Sequence, residues 1–446
     1  MVKKVLGSPF QKFVRIDSFS GMLLFGATLL ALILANSPLA ERFHSLWQYK
    51  LGVGTSGFEL IKPLILWIND GLMAIFFFLI GLEIKRELLI GELNSVKKAS
   101  FPLFAAIGGM VLPVLLFLVL NKNPESESAW GIPMATDIAF SLAILTLLGK
   151  RVPLGLKVFL TAFAIVDDLG AVLVIAVFYS ESIKWSLIGI ALVLLAVLFF
   201  LSYRKIHAKA LILAFGIVIW YLFLKAGIHP TIAGVLLAFT VPIRQRISID
   251  TYYEKLCEIV DDIKDAGNVK TPLLTKEQIE GIDDLEEWTE KVQSPLQQLE
   301  HRLHNWVAYL IMPLFAFSNA GVSFQGDAKL DTFLGGVIVV SLVAGKLLGI
   351  TFFSWLGIKL KLAELPEGVN FMQIVGTGLL AGVGFTMSIF VANLAFSGNE
   401  LLLDSSKAGI LVGSLIAGAA GYLVLRFSKQ KETAPGEMPG IIKSEL

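Results

Sequence analysis

Apolar runs of about 18 residues or more recur along almost the whole chain, separated by short polar stretches. Runs of that length match the hydrocarbon thickness of a bilayer, so the pattern predicts an all-α polytopic membrane protein. About twelve spans fit, near 19–36, 60–83, 101–121, 129–149, 155–178, 184–202, 208–224, 228–243, 304–322, 333–357, 369–396 and 406–426. The expected organisation is an N-terminal segment (1–18), spans 1–8 (19–243), a polar insert (244–302), spans 9–12 (303–428) and a disordered tail (429–446).

Within this pattern two polar stretches have a period of their own. In the insert, "YYEKLCEIVDDIKDAG" and "TKEQIEGIDDLEEWTEKVQSPLQQLEHRLHNW" space their apolar residues helically, which fits a small helical cap or a partly disordered loop. Between spans 1 and 2, "WQYKLGVGTSGFEL" puts a Gly-rich centre between two semi-apolar runs, the pattern of a β-hairpin.

Charge fixes the orientation. With both termini in the cytoplasm, the inner segments carry 28 Lys and Arg and the outer ones 8. Lys3, Lys4, Lys12 and Arg15 before the first apolar run also fit a signal peptide, but the run is long for one and many spans follow. Composition agrees with the bilayer reading: 55% of residues are apolar and 16% charged, with mean hydropathy +0.75. A net charge of +1 argues against a nucleic-acid partner, and the single Cys257 allows no disulfide framework.

Five formal charges lie deep in spans: Asp70, Asp137, Asp167, Asp168 and Lys346. A carboxylate at the bilayer centre costs about 2.5–3.5 kcal/mol on insertion scales, so such groups face a bundle interior or cavity and mark ion pathways. Asp167 and Asp168 are adjacent, about 100° apart on a helix, and can serve different neighbours. Asp70, after Asn69, also fits a hydrogen-bonded packing residue, and Lys346 a buried partner for one aspartate.

Two spans are interrupted. In "SAWGIPMATDIAFSLAI", Gly131 and Pro133 precede Thr136 and Asp137, and proline disrupts the turn before it. In "GTGLLAGVGFTMSIF", Gly376, Gly378, Gly382 and Gly384 fall mid-span, as a break or as a packing surface. Interrupted segments in corresponding halves point to the site of a secondary transporter, where unwound carbonyls meet a cation and charged groups offset the half-helix ends. Asp137 and Lys346 stand where they can do so.

At "MATDIAFSLAI", "AIVDDLGAV", "GLEIKREL", "LEHRLHNWVAYLIMPLFAFSNAGV" and "GKLLGI" the chain resembles the NhaA family of bacterial sodium/proton antiporters, from about residue 10 to 428. The departure is the insert at about 245–293, longer than expected for the family. The resemblance implies an inverted-repeat fold in which spans 4 and 11 are interrupted and cross. It implies a secondary antiporter, not an enzyme, that exports Na+ or Li+ against inward protons with no cofactor. It implies a homodimer, joined at the 47–60 hairpin, in the lipid bilayer of the bacterial inner membrane.

The resemblance also assigns residues. Asp168 resembles the principal cation ligand, and Asp167 the neighbour that pairs with Lys346 and carries protons. Thr136 and Asp137 match the crossing of the interrupted helices, and Asp70 an acid with at most a supporting role. Glu83, Arg86, Glu87, Glu300, His301 and His304 match a cytoplasmic cluster tied to pH regulation, although the two histidines also fit an ordinary solvated helix start.

Sodium is a hard cation, suited to the carboxylates of Asp168 and Asp167, the Thr136 hydroxyl and freed carbonyls. If protons and Na+ compete for the same buried carboxylate, exchange needs no separate gate. An Asp167–Lys346 ion pair that forms in the proton-loaded state and breaks on Na+ binding would complete the cycle. Three other classes share part of this pattern. A sodium-coupled solute symporter shares the inverted repeats and cation sites. An intramembrane aspartyl protease needs aspartates on separate helices, and no "GxGD" occurs. A passive channel explains neither the broken helices nor the buried charge.

Overall fold

The computed structural model describes residues 9–55, 58–180, 182–204, 209–266, 273–323 and 330–428. Residues 1–8 of the expected N-terminal segment and the whole expected tail lie outside them. The described chain is helical apart from one antiparallel hairpin, Lys50–Thr55 with Phe58–Pro63, in which Lys50 pairs with Pro63 and Gly52 with Ile61. Gly52 permits that pairing, because a Cβ there would collide with the Leu60 carbonyl. With residues 58–63 committed to the hairpin, the second span starts at Leu64, later than the hydrophobic run suggests.

Among the described residues six helices are long and apolar enough to cross a membrane: Leu64–Leu89, Val96–Leu120, Leu154–Phe178, Trp185–Tyr203, Thr332–Lys359 and Glu400–Phe427. Three bent pairs have the same character: Phe19–Ala35 with Ala40–Gln48 (113°), Pro124–Met134 with Ile138–Leu147 (47°) and Phe371–Ala381 with Phe385–Ala395 (43°). Among the described residues, length and composition therefore support six to nine crossings, where the hydropathy pattern predicts about twelve. Ala210–Ala226 and Thr231–Thr240 are apolar but shorter, and the helical run Pro295–Asn319 starts in the polar insert. The outward side chains are themselves apolar. Trp185–Tyr203 exposes Leu192, Val193, Phe199 and Phe200, a face suited to lipid rather than water.

The chain divides into two compact units. The first comprises Met1–Gly21, Ser95–Asp167 and Lys329–Leu446. Its core gathers Phe101, Phe159, Phe163, Ile350, Leu380 and Leu425, and helices Val96–Leu120 and Lys346–Lys359 meet backbone to backbone. A Cβ on Gly108 would strike the Gly349 carbonyl, and one on Gly349 the Gly108 carbonyl, the close approach that small residues allow between membrane helices.

The second unit comprises Met22–Asn94 and Asp168–Ala328. Gly234 makes the equivalent contact here, against the Ala74 carbonyl, and joins Thr231–Thr240 to Met73–Leu89. The polar insert is helical: Ile249–Asp265, Lys276–Val292 and Pro295–Trp306. The first two helices pack together, with Tyr252 and Thr289 hydroxyls 3.0 Å apart and Ile263 against Gly281. Among the described residues three helical stretches widen into π turns, Trp67–Leu72 and Val307–Ile311 in this unit and Ser341–Gly345 in the first. Trp67–Leu72 carries Asp70, and Ser341–Gly345 ends just before Lys346. Such bulges are frequent at functional sites.

Candidate functional site

The first interruption comes after Pro124–Met134, a tightly wound segment that itself contains Pro133. Ala135 and Asp137 are extended, so the break lies at residues 135–137 rather than at the proline. The second break takes only two of the four glycines, Gly382 and Gly384. Gly376 and Gly378 lie inside Phe371–Ala381, packed on Leu425 and beside Leu347, as a small-residue packing surface does.

Four half-helix ends are thereby left to be satisfied in a dry interior. Asp137, 1% exposed, caps Ile138–Leu147: its Oδ1 accepts from the Phe140 N–H at 3.0 Å. Its Oδ2 accepts from the Thr386 N–H at 3.1 Å and from the Thr386 hydroxyl. One carboxylate thus serves the positive ends of both Ile138–Leu147 and Phe385–Ala395. At the negative ends, the Thr136 hydroxyl donates to the Ala381 carbonyl at 3.0 Å and Ser141 to Leu380 at 2.9 Å. Lys346 Nζ donates to the Met134 carbonyl. Two cross-links complete the frame: the Asp137 N–H donates to the Val383 carbonyl at 2.7 Å, and the Ser388 hydroxyl to Ile132 at 2.9 Å.

Lys346, fully buried, also grips both oxygens of Asp167 at 3.1 and 3.0 Å. The Phe163 ring lies 5.8 Å from its Nζ, and the Thr136 hydroxyl borders Asp167 on another side. Thr136, Asp137, Asp167 and Lys346 are therefore one connected cluster in the first unit. Asp168 is buried as well and is the first residue of the second unit's return segment, because the chain passes from one unit to the other between the two aspartates.

The expected regulatory cluster is partly assembled. Arg86 binds Glu87 through Nη2 at 2.9 Å and Nε at 3.2 Å, and reaches Glu300 with Nη1. Glu83 contributes a third negative field at Arg86. Burial pushes the Glu300 carboxyl above the ordinary range, against the pull of Arg86 and of His304. His301 stands apart from this group. It is exposed and lines a cavity with Glu286 and Glu290 of the insert, so the spacing of three does not give the two histidines one environment.

Four participants escape a sequence reading. Thr386 sits in the quoted "GFTMSIF", but nothing local marks it as a partner of a residue 249 positions away. Lys62 reads as an outer-segment charge, yet its Nζ binds Asp70 at 2.6 Å. His229 Nε2 lies 3.6 Å from the other Asp70 oxygen, and Trp220 Nε1 donates to the Asp70 carbonyl at 2.9 Å. Asp70 is thus an ion-paired member of the second unit.

The family model described as Na+/H+ antiporter 1 matches residues 11–425. The chain belongs to that family. It is 46% identical to the Na(+)/H(+) antiporter NhaA of Bacteroides fragilis over 419 residues, 92% of this chain and 95% of the relative. It is also 46% identical to the Na(+)/H(+) antiporter NhaA of Oleidesulfovibrio alaskensis over 422 residues, 94% of each chain. The Parabacteroides distasonis relative of the same description is 42% identical over 443 residues. The stretches that carry the resemblance also carry the geometry just described: "MATDIAF" holds the first break and its cap, and "GKLLGI" the lysine.

Proposed function

We propose that this multi-pass membrane protein exchanges Na+ for protons, with Asp168 as the cation-binding carboxylate and the Asp167–Lys346 pair as the proton-coupled element. The observation that carries the reading is the fully buried lysine shared between Asp167 and the open end of an interrupted helix. A buried pair of this kind is weak evidence for stability, because desolvation offsets its attraction, and breaking it exposes an uncompensated charge. An element so poised between paired and unpaired states suits a cycle in which charge arrives and leaves. Thr136 and the carbonyls freed at the breaks supply neutral oxygens for a hard cation.

In this scheme Na+ or Li+ leaves the cell as protons enter, and no cofactor takes part. When more protons enter than cations leave, each net charge draws about 2.3 kcal/mol from every 100 mV. The Arg86–Glu300 group sets the pH response. The protein is a homodimer joined by the Lys50–Pro63 hairpin, in the bacterial inner membrane, with both termini cytoplasmic.

Everted vesicles with an acid interior test the reading. Na+ or Li+ added without any organic solute collapses the pH gradient, and Asp168→Asn abolishes the response. A requirement for an organic solute would instead make the protein a symporter. Lys346→Ala that still moves net charge would remove the lysine from the mechanism.

A further inference from the structure

One cavity of the second unit takes no part in the exchange site. It encloses about 510 Å³ where Thr231–Thr240 leads into the insert and where Lys276–Val292 turns into Pro295–Trp306. Backbone bonds fix both connections: the Arg246 N–H donates to Lys291 and the Leu296 N–H to Pro242, each at 3.2 Å.

Its walls carry three guanidinium side chains, Arg86, Arg244 and Arg246, and no carboxylate. Arg86 is held from behind by Glu87 and Glu300, while Arg244 and Arg246 are exposed at the mouth. Ser248 and Ser294 also line the cavity and stand at the N-termini of Ile249–Asp265 and Pro295–Trp306. Ser248 is used as a cap and accepts from the Thr251 N–H at 3.1 Å. Ser294 is not. It is 3% exposed, makes no cap bond, and its hydroxyl has no hydrogen-bond partner among the described residues. A buried hydroxyl without a partner costs free energy unless a ligand or water completes it.

We propose that this cavity binds a phosphate-ester oxyanion. Arginine forks match phosphate oxygens in pairs, helix N-termini favour negative charge, and the Ser294 hydroxyl supplies a further donor. The cavity exceeds a bare phosphate and falls in the size range of small-ligand sites. Ile90, Ile243, Ile247 and Leu296 give it an apolar wall for the esterified part. The phosphate belongs either to a soluble ester or to an anionic lipid headgroup. Because Arg86 lines the cavity, the ligand competes with Glu300 for the same guanidinium.

The readout is binding, so a negative result here is distinguishable from a failure of Na+ exchange. Full-length protein in neutral detergent is titrated calorimetrically with inorganic phosphate and glycerol 1-phosphate against chloride at fixed ionic strength. In parallel, its unfolding midpoint is compared in phosphatidylcholine nanodiscs with and without phosphatidylglycerol. Saturable binding of the soluble phosphates identifies a soluble ester; a rise in midpoint only with phosphatidylglycerol identifies a headgroup. In either arm Arg244→Ala with Arg246→Ala weakens the effect about tenfold or more, Ser294→Ala weakens it less, and Lys276→Ala on the insert leaves it unchanged. An unchanged unfolding midpoint of the ligand-free double variant checks its folding. No saturable response in either arm overturns the proposal, and so does an equal loss with Lys276→Ala.

Discussion

The two interrupted helices break alike but are satisfied unequally. The first brings its own charge to the break, since Asp137 closes Ile138–Leu147 directly. The second brings none. Gly384 opens Phe385–Ala395 without a side-chain cap, and that end borrows the Asp137 carboxylate through Thr386. At the negative ends the second stretch borrows again, taking hydroxyls from Thr136 and Ser141 of the first, while the first draws on Lys346 and, at Ile132, on the Ser388 hydroxyl. The arrangement therefore hinges on the first break, and damage there reaches both helices.

The sharpest way to break the comparison is Asp137→Ala. It strips the acceptor from the Phe140 N–H, the Thr386 N–H and the Thr386 hydroxyl, and each buried donor left unmade costs about 1–3 kcal/mol. The expected loss is about 3 kcal/mol or more in unfolding free energy in detergent, with loss of antiport. Thr386→Val removes only the hydroxyl bond, leaves the backbone N–H on Asp137, and costs about 1–2 kcal/mol. Equal losses in the two variants would mean that the first break holds no advantage.

Gly384→Ala tests the second break through shape. A Cβ at Gly384 would collide with the Ser388 hydroxyl and lie 2.9 Å from the Ala135 carbonyl, so overpacking costs about 1–3 kcal/mol. Gly26, in Pro9–Ala35, has no atom within 4 Å of an added Cβ. Gly26→Ala therefore leaves the unfolding midpoint unchanged or raises it, since alanine is the better helix former by about 1 kcal/mol. A midpoint that falls equally in both would show that glycine matters here for the backbone alone.

Much of this was legible in the chain because bilayers demand long apolar runs and penalise bare charge. Asp137, Asp167, Asp168 and Lys346 stand out for that reason, and the hairpin follows from its glycines. The partners were not legible, because a hydroxyl such as Thr386 carries no penalty that would mark it, and its contact spans 249 positions. Lys62 was hidden in the opposite way. Its charge falls in a segment where charge is ordinary, and only the turn from strand to helix brings it onto Asp70. The four glycines of the second break look equivalent in sequence. Which ones pack and which ones break depends on Leu425 and Leu347, residues from other helices.

The smallest expected effect lies away from both breaks, at Glu300. Burial raises its carboxyl above the ordinary value despite Arg86 and His304. As pH rises, the unfolded chain releases this proton first and the folded chain holds it longer. The contribution to stability is therefore full below the ordinary carboxylate range and declines as pH climbs through the raised value. Glu300→Gln, neutral throughout, removes that decline, and its unfolding midpoint depends less on pH across the window just above the ordinary carboxylate range. If the group also sets the pH response, the antiport profile of Glu300→Gln in vesicles moves as well. A profile that stays in place while the midpoint flattens would leave Glu300 as a structural partner of Arg86 alone.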